Sequence, residues 1–221
     1  MIIDLGDEKK VVTYGSNGIT NCLTLCKNIL KNYGLDDFGS SNNVYQLLRE
    51  DGGLEYCGNN PQENYRNAIE CIDRHLNNGR PIIVGVNHTL GKGINEGATD
   101  HFVVIYGKGY DSNFDCNYYT YYEVGKSNIS ASYDDENNRL LYIDGEQPSF
   151  YDFKSNRSDG KRFDVTQVRP NDGTVVELKR PALCEPFFWR LYTCCPQKDK
   201  RKGLTKVNPL SVINLLHLLR C

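Results

Sequence analysis

Apolar residues recur at Cys22, Cys26, Ile29, Leu30 and Tyr33, spaced i, i+4, i+7, i+8 and i+11. That spacing lines one helix face and predicts a helix from Ile19 to Tyr33, capped by Thr20 or Asn21 and stopped by Gly34. Residues Asn43 to Arg49 read as a further short helix. Asn60-Pro61 reads as an N-cap followed by proline at the first helical position. The helix it opens continues to about Leu76, with Gly79 as the stop. The period then changes. RPIIVGVN is a short β-branched apolar run, the pattern of a buried strand. After the Gly-rich HTLGKGINEGATD come HFVVIYGKG, NYYTYYEVG, RLLYIDG and KRFDVTQVRP, four further strand patterns. Helices first and neighbouring strands afterwards predict an α+β fold, with the N-terminal helices packed on a mostly antiparallel sheet.

The texture shifts again after Pro170. Residues 171–221 hold the only Trp, a basic run from Lys198 to Lys202 that reads as a solvated linker, and an apolar stretch from Pro209 that reads as a helix. The expected organisation is a domain over 1–170 and a C-terminal extension over 171–221 ending in that helix. With 221 residues, 39% of them hydrophobic and 24% charged, the chain has the composition of a globular protein with a core. A formal net charge of −2 leaves no basic excess to attract nucleic acid. No stretch approaches the roughly 20 apolar residues of a transmembrane segment. The start, MIIDLGDEKKVV, lacks the pattern of a signal peptide. The expected location is therefore cytoplasmic, or outside the cell by a route with no recognisable signal.

The nine cysteines are irregularly spaced and form no CxxC pair, which argues against a zinc ribbon and for mostly free thiols. No cofactor or metal is called for. A thiol attacks as its thiolate, and the first turn of a helix lowers its pKa. Cys22 lies in that first turn and Cys26 one turn deeper. From the helix alone, two readings stand: Cys22 as a nucleophile, or both cysteines as the core stripe. A nucleophilic cysteine needs a base. His75 and His217 fall within helical patterns and read as packing residues, and His88 enters the Gly-rich loop. His101 heads a strand directly after that loop, a rigid mount that reaches a cleft. Tyr119, Tyr121 and Glu123 share one face of the next strand, and Glu123 is its one carboxylate, placed to orient an imidazole.

NCLTLCKNILKNYG, LNNGRPIIVGVN, DHFVVIYGKGY and YYTYYEVG, in that order, resemble the papain-like cysteine peptidase and amidase superfamily, especially its bacteriocin-processing branch. The resemblance spans roughly residues 14 to 145. It implies a papain-like fold, with Cys22 attacking an acyl carbon, His101 exchanging the proton, and Glu123 holding the imidazole where the family more often has Asp or Asn. It also implies an oxyanion hole made by the Cys22 backbone N–H and an upstream side chain, usually Gln. This sequence offers Ser16 and Asn17 there, and Leu23-Thr24 replaces the Gly-Pro that usually follows the family's cysteine.

The function expected from this resemblance is a cysteine hydrolase cutting amide bonds in a peptide or peptidoglycan stem. Delivery as a bacterial toxin or effector, with an inhibitor or immunity protein as partner, fits the missing signal peptide. A cytosolic enzyme fits it equally. Two rival readings are a non-catalytic interaction module on a degenerate papain-like fold and a transglutaminase-like acyl transferase.

Overall fold

The computed structural model describes residues 2–152 and 162–176. The chain opens with a two-residue strand, β1 (Ile3–Asp4), and a helix, α1 (Cys22–Asn32). Asn21 caps α1, its Oδ1 accepting the Thr24 N–H at 2.9 Å, and Gly34 leaves it at a left-handed φ of 77°. The short strands β2 (Tyr45–Gln46), β3 (Leu48–Glu50) and β4 (Leu54–Tyr56) follow. The long helix α2 (Pro61–Asn77) is capped by Asn60 with Pro61 in its first turn, as the sequence predicts. Next come β5 (Ile82–Asn87), β6 (His101–Asp111), β7 (Cys116–Tyr122), the single turn α3 (Ile129–Ser132), β8 (Arg139–Ile143), β9 (Ser149–Asp152) and β10 (Asp164–Arg169).

The helix expected from Asn43 to Arg49 is not formed. Those residues extend instead: β2 pairs with β10, the Leu47 N–H donates to the Thr166 carbonyl at 2.7 Å, and β3 makes a hairpin with β4. Partners from distant sequence satisfy this backbone, and they override a weak local helical pattern. The expected helix from Pro209, His217 and nearly all of the C-terminal extension lie outside the described residues. Residues 171–176 stay tied to the rest: the Asn171 N–H donates to His75 Nε2 at 3.0 Å, and the Val176 N–H to Asn43 Oδ1 at 2.6 Å.

Every strand pair among the described residues is antiparallel. Strands β6, β5, β10, β9, β8 and β7 pair in that order, and β7 pairs back with β6, closing a six-stranded barrel. The fold is thus α+β with an antiparallel sheet. One apolar cluster gathers residues from all six strands, including Val84, Val103, Tyr119, Leu140, Phe150 and Val165, together with the Tyr65–Ile72 face of α2. The alternate residues of β6, Phe102, Val104 and Tyr106, point the other way. There they pack with Ile83 and Tyr122 against Leu25, Cys26, Ile29 and Leu30 of α1. Leu25, Ile29 and Leu30 are fully buried, each contributing roughly 1.5–3 kcal/mol to docking the helix. Packing α1 across β6 sets the helix N-terminus beside the first residues of that strand.

Candidate active site

Cys22 is the first residue of α1, where backbone N–H groups have no intrahelical partner. Two backbone donors reach its sulfur: the N–H of Leu23 in that first turn and the N–H of Phe102 on β6. The third partner is the His101 side chain. Burial pushes the thiol pKa up, but the hydrogen bond and charge of His101 and these two N–H groups outweigh it, and the pKa falls below the ordinary value. Cys26, fully buried one turn deeper, goes the other way. Burial raises its pKa well above the ordinary value, with the charges of Cys22 and Glu123 adding to the effect. The two cysteines of one helix stripe are chemically distinct.

His101 heads β6, paired across to Val86 of β5. Its Nε2–H donates to Glu123 Oε1 at 2.8 Å, which leaves Nδ1 for the thiol. Glu123 stands one residue beyond β7, and the alternation that buries Tyr119 and Tyr121 in the barrel cluster carries its carboxylate to the same side. The two side chains are 13% and 8% exposed. Burial favours the neutral imidazole, but the Glu123 carboxylate and the hydrogen bonds with Cys22 and Glu123 prevail, raising the His101 pKa to about 10. Both shifts move the pair toward thiolate and imidazolium, with a carboxylate on the far ring nitrogen.

Glu123 Oε1 also accepts the Gly125 N–H at 2.7 Å. A Cβ on Gly125 would stand 2.9 Å from that oxygen and 3.4 Å from His101 Cε1, so glycine is what lets the backbone turn here. Phe163, buried just before β10, stacks on the His101 ring at 5.5 Å between centroids and 28° between planes. His88 lies at the rim, its ring 6.3 Å from that of His101. Asp100, the residue before His101, accepts the backbone N–H groups of His88 and Thr89, and so pins the two ends of the 88–100 loop together. No periodicity marks Phe163, Gly125 or Asp100; the DH step at 100–101 is the one local hint.

The residues expected at the oxyanion hole sit in the 3₁₀ turn Ser16–Gly18, four residues before α1. Ser16 Oγ shares a 2.9 Å hydrogen bond with Thr13 Oγ1. Asn17 is exposed and takes a left-handed φ of 51°. The Tyr14 N–H donates to the Lys126 carbonyl at 2.8 Å, tying this loop to the segment that follows Glu123. His75, by contrast, is a packing residue, buried in α2 with both ring nitrogens bonded to backbone groups.

Cys22, Cys26, Cys57, Cys71 and Cys116 are free thiols. Among the described residues no group of three His, Cys, Asp or Glu side chains is placed to hold a metal ion, and no helix is long and apolar enough to cross a membrane. No family model matches this chain, and neither does any curated protein or solved structure.

Proposed function

We propose that this chain is a cysteine hydrolase of papain-like type that cleaves amide bonds in a peptide or peptidoglycan stem. One observation carries the reading: a thiol at a helix N-terminus is hydrogen-bonded to an imidazole whose far nitrogen is held by a buried carboxylate. The Cys22 thiolate attacks the carbonyl carbon, and the electron pair of the C=O bond moves to oxygen. The Cys22 backbone N–H, with Asn17 or Ser16 as second donor, receives that oxyanion. His101 gives its Nδ1 proton to the leaving amine as the C–N bond breaks, leaving a thioester. His101 then takes a proton from water, hydroxide adds to the thioester, and collapse releases the acid and restores the thiolate. Glu123 keeps the imidazole oriented and its positive form stable throughout.

Iodoacetamide at neutral pH should label Cys22 well before Cys26, and purified peptidoglycan or a peptide library should be cut by the wild-type chain and left intact by Cys22→Ala. A Cys22 no more reactive than the other thiols, or activity that survives the substitution, would overturn the reading. Acyl transfer uses the same three residues, and adding an amine acceptor separates it from hydrolysis.

A further inference from the structure

Seven arginines lie among the described residues, and six of them meet a carboxylate or an amide oxygen. Arg49 pairs with Glu55, Arg66 with Asp144, Arg74 with Asp172 and Arg162 with Asp164. Arg80 bonds Asn171, and Arg139 bonds the Asp135 carbonyl. Arg169 does neither. It is only 4% exposed, and its Nε has no hydrogen-bond partner among the described residues. Burying an unpaired cation costs free energy that a methionine there would not, so its presence asks what the charge serves.

Its surroundings answer. The guanidinium lies 4.5 Å from the centroid of the Phe102 ring, a cation–π contact in a desolvated setting. Gly85 lies between Phe102 on β6 and Gln167 on β10 in the sheet and puts no side chain between those strands. Gly39, at φ +75°, presses backbone onto Arg169 from the other side; a Cβ there would stand 2.8 Å from that of Arg169. The ring that Arg169 holds belongs to the residue whose N–H donates to Cys22 sulfur and which follows His101 directly. The charged and titratable groups gathered here are Cys22 and Cys26 from α1, His101 from β6, Glu123 after β7 and Arg169 from β10. The Arg169 charge acts on Cys26, while Cys22 is served by His101 and the N–H groups of Phe102 and Leu23.

We propose that Arg169 is a positioning residue for the Cys22–His101 pair: its guanidinium clamps the Phe102 ring and so fixes the start of β6, which presents the Phe102 N–H and the His101 imidazole to Cys22. This inference rests on the nucleophile reading above, and it is testable without a known substrate. The measurement is the rate of iodoacetamide alkylation of Cys22 in the full chain against pH, read by peptide mass spectrometry. Arg169→Met keeps length and apolar bulk but removes the charge. Its Cys22 inflection should move up by about half to one pH unit, slowing alkylation roughly three- to tenfold at pH values below the wild-type inflection.

Phe102→Leu keeps the N–H and Arg169 but removes the ring face, and should move the inflection the same way. It also decides the matter if Arg169→Met fails to fold by circular dichroism. A low wild-type inflection left unmoved in the folded variants overturns the role of Arg169 alone. A wild-type Cys22 that titrates like an ordinary thiol removes the hydrolase reading itself, and with it this inference.

Discussion

Among the described residues, two Cys–His pairs carry opposite pKa shifts. Cys71 and His75 stand one turn apart in α2, with Sγ 3.6 Å from Nδ1, so proximity alone is met. There Nδ1–H donates to the Cys71 carbonyl at 2.8 Å, and Nε2 accepts the Asn171 N–H. The bond accepted at Nε2 demands a neutral ring, and the bond donated by Nδ1–H fixes its tautomer. Asp172 lies 3.6 Å away, but it is already engaged by Arg74 and Thr174. Burial dominates, lowering the His75 pKa and raising that of Cys71 to about 12. In the Cys22–His101 pair the far nitrogen faces a carboxylate instead of an N–H, and both shifts reverse. A thiol beside an imidazole thus has its pKa raised or lowered according to what holds the other ring nitrogen and whether the thiol opens a helix or sits within one.

The sharpest break of this contrast removes each sulfur in turn. Cys22→Ala should cut turnover of any cleaved substrate by at least about 10³-fold. Cys71→Ala should leave kcat within about twofold and lower stability by about 1–2 kcal/mol in urea unfolding. Replacing the carboxylate tests its cause. Glu123→Gln keeps an acceptor for Nε2–H but loses the charge, and should reduce kcat on the order of 10²-fold. It should also narrow the pH window. In the wild type the ion pair forms as pH rises through the lowered Cys22 value and is lost as pH rises through about 10, where His101 deprotonates. In Glu123→Gln the lower limb of the alkylation profile moves up and the upper limb down; an unchanged profile would break the comparison. Gly125→Ala should cost roughly tenfold in kcat with unchanged circular dichroism, because the added Cβ crowds Glu123 Oε1 and His101 Cε1.

The smallest effect is on stability against pH, and the two histidines contribute with opposite sign. His75, with its folded pKa depressed, contributes stability that is complete above about 6.5 and lost as the pH falls below it. His101, with its folded pKa raised, contributes stability that is complete below about 6.5 and lost as the pH rises through about 10. His75→Gln should therefore lower stability at pH 8 by about 1–3 kcal/mol and flatten the urea-midpoint slope between pH 6.5 and 5. A slope as steep as in the wild type would show that His75 is not the group titrating there.

Long periodic segments were legible in the sequence. The stripe through Cys26 and Leu30 predicts α1, Asn60-Pro61 predicts the start of α2, and five of the six barrel strands follow from apolar runs. Strands of two to four residues were not, because β1, β2 and β9 exist through the partners they pair with rather than through their own pattern. At the site, Cys22, His101 and Glu123 were legible because each sits at an element end whose geometry is local. Phe163 and Arg169 were not: they arrive on β10 and the residue before it, some 60 residues beyond His101, and only closure of the barrel brings them alongside.

The proposed nucleophile and base sit on two different pieces, a helix outside the barrel and a strand within it. Until α1 docks on β6, Cys22 has neither the Phe102 N–H nor the imidazole, and it is an ordinary thiol. The packing that buries the α1 face is thus also what lowers the Cys22 pKa, so on the proposed reading the chemistry depends on the docked helix.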